Sequence, residues 1–130
     1  MIDRDKLYIC IKNAFAENDA LHSIQILEPY GAENRQNTAI GIAVSNETEL
    51  DAEHNTAKVQ FAILTDYHED KEKSVLKEIR ASVADMLHDP ANFPDSKMSV
   101  DGIVIDAIQS SEQDNSYNVV TIDTTFFITI

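Results

Sequence analysis

The sequence predicts an α+β fold: a single mainly antiparallel (mixed) β-sheet of about four to five strands with two main flanking helices. Two observations carry this prediction. Two segments have apolar residues at helical spacing, and four longer segments have the apolar patterns of strands. Their order is helix, short strand, hairpin, helix and hairpin. Because no linker, repeat or low-complexity tract interrupts this order, residues 1–130 are predicted to form a single domain.

Residues 4 to 17 are predicted to form a first helix, capped by Asp3. The buried stripe of this helix is Leu7, Tyr8, Ile11, Ala14 and Phe15. Cys10 lies between two isoleucines of the same helix, so we expect a small buried thiol rather than a reactive one. Residues 24 to 27 are predicted to form a short strand, which the turn at 28 to 31 ends.

A hairpin follows, with strands over residues 38 to 44 and 56 to 65 and a long polar tip between them. One face of its first strand carries Ile40, Ile42 and Val44, and the other carries the small residues Ala39, Gly41 and Ala43. A face this thin lets a helix or a neighbouring subunit approach the backbone closely. These three small residues are therefore predicted contact positions.

The second helix is predicted to begin at Asp66, with Glu69 completing a capping arrangement, and to run to about His88. Its inward stripe is Val75, Ile79, Val83, Met86 and Leu87. Residues 98 to 110 are apolar on both faces in their middle, which predicts a central strand. The polar run at 111 to 116 then turns the chain back into a closing strand.

The closing strand, residues 118 to 130, has one almost wholly apolar face, which we expect in the core: Val120, Ile122, Phe126, Ile128 and Ile130. Its other face is rich in threonine, but Tyr117, Val119 and Phe127 interrupt it. Apolar strand faces are buried one way or another. Either a helix of the same chain or a neighbouring subunit covers these three side chains, and the pattern leaves both possibilities open.

The formal net charge of -13 argues against binding to nucleic-acid grooves and to anionic membranes, because both need clustered Lys and Arg. It suits a binder of basic proteins, or a wall to which a polyanion must not stick. The single cysteine excludes an internal disulfide and favours a reducing site of assembly. No signal peptide or membrane-spanning stretch is recognisable, so the chain is predicted to be soluble and unexported.

No pattern of catalysis or metal binding emerges from the chain. The alternating acids Glu47, Glu49, Asp51 and Glu53 lack the glycine and the later bidentate acid of a calcium loop, so we predict a functional surface instead. The acids and histidine at 66 to 70 are explained by helix capping. The histidines have no ligand spacing, and no nucleophile elbow or phosphate loop is present. No catalytic, cofactor or metal residue is predicted, and the chain is not expected to be an enzyme.

Four features taken together resemble one family. They are the opening Asp5-Lys6-Leu7-Tyr8 helix, the Tyr30-Gly31 turn before the strand at 38 to 42, the strand at 59 to 64 that leads into the second helix, and the closing hairpin. Over nearly the entire chain, this layout resembles the tail terminator, or tail completion, proteins of long-tailed bacteriophages. Related neck and head-tail connector proteins share similar layouts. The family often has a proline and an aromatic residue before the second strand, where this chain has Asn37 and Thr38.

The resemblance implies a hexameric ring on the tail tube, which stops tube polymerisation and offers a docking face to the neck or head. It implies assembly in the host cytoplasm, a place in the virion, and no reaction or cofactor. DNA would pass through the channel without specific binding, which acidic walls permit. On this hypothesis the acidic run from Glu47 to Glu53 faces the lumen or an adjoining ring. Tyr117, Val119 and Phe127, together with Ala39, Gly41 and Ala43, are the subunit interface.

Two other classes of function are open to this sequence. An acidic inhibitor, or DNA mimic, would block a nucleic-acid enzyme by imitating phosphates, and it needs paired rows of acids over an external face. A small enzyme would need a concave pocket with convergent acids or histidines.

Overall fold

The structure, a computed structural model, describes residues 2–27, 37–111 and 116–130. Its helices are α1 (Arg4–Ala16) and α2 (Ser74–Leu87), with a short 3-10 turn at Pro90–Asn92. Its strands are β1 (Gln25–Leu27), β2 (Thr38–Glu49), β3 (His54–Asp66), β4 (Ser99–Ser111) and β5 (Tyr117–Thr129). These elements form one mixed five-stranded sheet with two helices, which confirms the predicted α+β class. The turn predicted at 28 to 31, and residues 112 to 115 of the turn predicted at 111 to 116, lie outside the described residues.

The strand order in the sheet is β1-β2-β3-β5-β4. β1 runs parallel to β2, and all other neighbouring strands are antiparallel. The closing strand β5 therefore lies between β3 and β4, and β4 is an edge strand of the described sheet. The prediction that residues 98 to 110 form a central strand was wrong.

Two register shifts in β4 explain why its sequence is misleading. They lie between Val100 and Gly102 and between Ile105 and Ala107. Each extra residue reverses the alternation of the side chains that follow. As a result Ile103, Ile105 and Ile108 pair with inward positions of β5, at Phe126, Thr124 and Ile122 respectively. Apolar residues at both odd and even positions of β4 thus serve mainly one face of the sheet.

Helix α1 forms as its sequence predicts. The Asp3 carboxylate accepts hydrogen bonds from the backbone N–H of Asp5 at 3.0 Å and of Lys6 at 3.4 Å, which caps the helix. The five predicted stripe residues and Cys10 are all buried. The helix therefore packs through a single face.

Helix α2 begins later than predicted. Asp66 closes a turn instead, accepting from the N–H of His68 at 2.8 Å and of Glu69 at 3.0 Å. Lys73 then has a left-handed φ of 61°, which no α-helix can contain. The helix cap is Asp70, whose carboxylate accepts from the N–H of Val75 and of Leu76, each at 3.0 Å. The prediction of capping in this segment was right, but its residues and the start of the helix were wrong.

Both helices pack on the same face of the sheet. Their buried residues form one cluster with the inward side chains of β2, β3 and β5, of which the central ones are Ile40, Ile42, Phe61, Ile63, Ile122 and Phe126. Two of the predicted core residues are wrong: Val75 is 41% exposed, with Leu76 buried in its place, and Ile130 is 51% exposed. Neither helix of the described residues is long and apolar enough to cross a membrane.

Candidate functional site

The candidate site begins with the face of the sheet opposite the helices, which we call the open face. Paired positions form rows across it: Ala39 with Leu64 and Val119, Ala43 with Gln60 and Asp123, and Ser45 with Lys58 and Thr125. No helix among the described residues packs on this face, because both helices belong to the cluster on the other side. The described helices and strands therefore form two layers.

The six predicted interface residues all lie on the open face. Tyr117, Val119 and Phe127 come from β5, and Ala39, Gly41 and Ala43 come from β2. The possibility that a helix of the same chain covers the three β5 side chains is therefore wrong for α1 and α2. That a neighbouring subunit covers them stays a prediction.

Burial divides these six residues into three groups. Ala39 and Gly41 are buried, while Tyr117, Val119 and Ala43 are half-buried. Phe127 is 39% exposed, and Val104 of β4, in the next row on the same face, is 48% exposed. The apolar surface available to a partner therefore lies at the Phe127 end of the open face.

The centre of the open face is polar, and the sequence analysis did not identify it. Lys58 Nζ donates to Thr125 Oγ1 at 2.6 Å and to Asp106 Oδ2 at 3.3 Å, and Thr125 Oγ1 donates to Asp106 Oδ2 at 2.7 Å. Beside this group, Gln60 Nε2 donates to Asp123 Oδ1 at 2.9 Å. The hydrogen bond from Thr125 holds the pKa of the Asp106 carboxyl below its usual value.

The two bulges of β4 place its two aspartates beside threonines of β5, and Asp106 thereby joins this network. Asp101 and Asp106 are the extra residues at the two register shifts. Asp106 binds Thr125, and Asp101 accepts a hydrogen bond from Thr129, so each bulge aspartate binds a threonine of β5. Simple alternation cannot find such positions, since a bulge changes which face a residue meets.

A groove of about 530 Å³ lies over this polar centre. Its lining includes the small residues Ala43 and Ser45 and the polar side chains of Lys58, Gln60, Asp106 and Asp123. The groove exists because short side chains of β2 lie beside the longer ones of β3 and β5. It is a wide surface groove with two carboxylates and one ammonium group.

The predicted acidic surface lies at the β2–β3 hairpin, whose tip is shorter than predicted. β2 continues to Glu49 and β3 starts at His54, so only residues 50 to 53 form the tip. Glu49 and Glu53 are exposed, and Leu50 between them is 60% exposed. The four acids do not form one row on a strand face, because Asp51 and Glu53 lie in the tip, outside both strands.

Glu47 faces the helix layer and binds α1. Arg4 Nε donates to Glu47 Oε1, and Arg4 Nη2 donates to Oε2 at 2.9 Å, which is the paired geometry that guanidinium and carboxylate favour. The hydrogen bonds from Arg4 lower the pKa of the Glu47 carboxyl and raise the pKa of the guanidinium. This ion pair links the hairpin to α1. The Glu47 carboxylate is therefore already paired within the chain, whereas Glu49 is exposed.

Asp51 shapes the tip. Its Oδ1 accepts from the backbone N–H of Glu53 at 2.9 Å and of His54 at 2.8 Å, and His54 Nδ1 lies 2.9 Å away. The two backbone hydrogen bonds and the histidine lower the pKa of Asp51 to about 2, and Asp51 raises the pKa of His54. The carboxylate holds the turn, leaving Glu49 and Glu53 as its outward acids.

The single cysteine has a structural role rather than a reactive one. Cys10 is buried, donates its S–H to the carbonyl oxygen of Phe93 at 3.6 Å, and has its pKa raised to about 11 by burial. At pH 7 a thiol with that pKa is almost wholly protonated and a poor nucleophile. Across the three described ranges, no group of three or more His, Cys, Asp or Glu side chains could hold a metal ion.

Comparison with known proteins identifies no relative: no family model matches the chain, and no curated protein matches it.

Proposed function

We propose that this chain is a structural subunit of the tail terminator type. In this proposal, copies form a hexameric ring that caps a phage tail tube, terminates its polymerisation and joins the tail to the neck or head. The observation that supports it best is the open face. In the described residues both helices cover the same side of the sheet, and Phe127 and Val104, exposed on the other side, offer an apolar contact surface to a partner.

The hairpin supports the same proposal in a different way. Its tip is held by Asp51 and presents Glu49 and Glu53 outward, while Arg4 binds Glu47 close to the tip. Carboxylates on a fixed projection repel phosphate, so this hairpin suits the wall of a channel through which DNA moves. The partners in this role are other copies, the tail tube protein and a neck or connector protein, and the site of action is the virion.

The DNA-mimic alternative has less support. A mimic needs rows of unengaged acids, whereas Glu47 binds Arg4, Asp51 holds its own turn, and Asp101 and Asp106 bind threonines of β5. A chain that stays monomeric and binds a nucleic-acid enzyme in competition with DNA would favour this alternative.

The test compares two adjacent phenylalanines. Phe127 is 39% exposed on the open face, whereas Phe126 is fully buried in the core. We expect Phe127→Asp to leave the circular dichroism spectrum and cooperative unfolding intact but to abolish rings in native mass spectrometry. Phe126→Asp should instead prevent folding, because it buries a charge in the core.

Wild-type rings should also bind to the ends of tail tubes in electron micrographs and limit tube length. A wild-type chain that remains monomeric at every concentration tested, with or without tubes, would contradict the proposal. Rings of Phe127→Asp as stable as those of the wild type would remove the open face from the interface.

A further inference from the structure

The groove of the open face has an excess of negative charge. Of its two carboxylates, Asp106 accepts hydrogen bonds from Lys58 and Thr125. Asp123 accepts a hydrogen bond from the side-chain amide of Gln60, which is neutral. Asp123 is half-buried, and nothing in that row neutralises it. A cationic side chain entering the groove would meet this carboxylate with partial exclusion of water, where attraction between charges is stronger than on an open surface.

A matching cationic surface lies elsewhere on the same chain. Lys77 and Arg80 are three residues apart on one side of α2, and Lys73 directly precedes the helix; we call these three residues the basic stripe. Residues 71 to 80 contain four basic and two acidic residues, in a chain with 10 basic and 23 acidic ones. The stripe is thus a local exception to the charge of the molecule.

The basic stripe is available for an external contact. Lys73 and Lys77 are exposed and Arg80 is half-buried. The ion pairs between described residues involve Arg4, His54 and Lys58, so none of them engages the stripe.

We propose that the groove of one copy receives the basic stripe of a second copy. Helix α2 packs on the helix side of the sheet and the groove lies on the open face, so the two surfaces of one chain cannot meet each other. They can meet only between chains. In such a contact Lys77 of one copy approaches Asp123 of the other.

This contact is heterologous, since it joins two different surfaces. A heterologous contact repeated with a suitable rotation closes into a ring, whereas a symmetric one stops at a dimer. The inference rests on the proposed function, for which it names the repeating contact. Complementary charges also fix the register of the subunits and make the contact sensitive to salt.

Charge reversal tests the proposal. Asp123→Lys and Lys77→Glu should each raise the protein concentration needed for ring assembly at least tenfold, because each places like charges together. An equimolar mixture of the two variants should restore assembly, since every groove with the Asp123→Lys change can then meet a stripe with the Lys77→Glu change. In that mixture the two kinds of chain must alternate, so native mass spectrometry should find equal numbers of each. The double variant in one chain should also assemble.

Two variants control for net charge. Asp19→Lys and Lys12→Glu produce the same changes of charge at exposed positions of the helix layer. They should assemble nearly as the wild type does. Circular dichroism of all variants establishes that they are folded, and Lys77→Glu lies on an exposed helix position where folding is tolerant.

The outcomes separate this inference from the proposed function. If the wild type forms rings and both charge-reversal variants form them equally well, the inference is wrong, but the proposed ring-forming function still stands. Loss of rings in both single variants without rescue in the mixture would also overturn it. A monomeric wild type would overturn both.

Discussion

At the scale of single residues, Asp70 links the second helix to the sheet. It is 5% exposed, and its carboxylate accepts from Thr65 Oγ1 at 2.9 Å as well as from two N–H groups of the first helical turn. Asn118 of β5 completes the junction by donating to Thr65 Oγ1 and to the Asp70 carbonyl oxygen. Burial alone would raise the pKa of Asp70, but these hydrogen bonds together hold it below its usual value.

We therefore expect Asp70→Ala to lower the free energy of unfolding by about 1 to 3 kcal/mol at pH 7, since it removes a cap and leaves buried donors without an acceptor. The folded pKa is lowered, so this contribution is present above the unfolded pKa of about 3.9 and is lost as pH falls through the folded pKa. Urea denaturation at several pH values should show the two proteins converging below about pH 4.

Glu69→Ala is the matched control for this prediction. Glu69 is the neighbouring acid that the sequence favoured as a capping partner, but it is exposed. Its removal should change the free energy of unfolding by no more than about 0.5 kcal/mol. If Glu69→Ala lowered the free energy of unfolding as much as Asp70→Ala does, the helix would be capped at Asp66 and Glu69, as the sequence indicated.

The cap also shows what a local pattern can and cannot predict. Asp66 and Glu69 have the spacing of a capping box, but that pattern assumes that the helix starts directly after the first acid. Here a turn intervenes, and Lys73 with positive φ delays the helix until Ser74. The choice between the acids depends on Thr65 and Asn118, which long-range strand pairing brings to Asp70.

At the scale of elements, alternation predicted most of the sheet and most of the candidate interface. Period-two patterns in β2 and β5 identified the six open-face residues, because those strands are regular where the residues lie. The same reasoning failed in β4, where two bulges reverse the pattern. Asp106 of the polar groove was missed for the same reason, since it reaches the groove from a bulge.

Strand order makes a prediction that amide hydrogen exchange can check. β3 and β5 pair with a strand on each side, whereas β4 pairs only with β5 in the described sheet. Backbone amides of β3 and β5 should therefore exchange most slowly, and those of β4 faster. The measurement should use folded, monomeric Phe127→Asp, because assembly itself would add protection. Equal protection along β4 and β3 in that monomer would contradict the edge position of β4.

At the scale of the whole molecule, the charge of -13 opposes compactness at low salt, because like charges repel over distances that solvent ions do not yet screen. Salt also weakens local attractions such as the pair between Arg4 and Glu47, but exposed pairs of this kind contribute little. We therefore expect salt to stabilise the folded monomer by screening its net repulsion. The weakening of individual ion pairs should matter less.

We expect the melting temperature of monomeric Phe127→Asp to rise as NaCl increases from about 10 mM to about 300 mM, a range over which the screening length falls from about 30 Å to well below 10 Å. Adding Asp19→Lys to this monomer makes it two charges less negative at an exposed position. That double variant should melt at a higher temperature in low salt and gain less from added NaCl, because less repulsion remains to be screened. Differential scanning calorimetry of both proteins measures this difference. A melting temperature that falls with salt would mean that local ion pairs outweigh the net charge, and the self-repulsion argument would then be wrong.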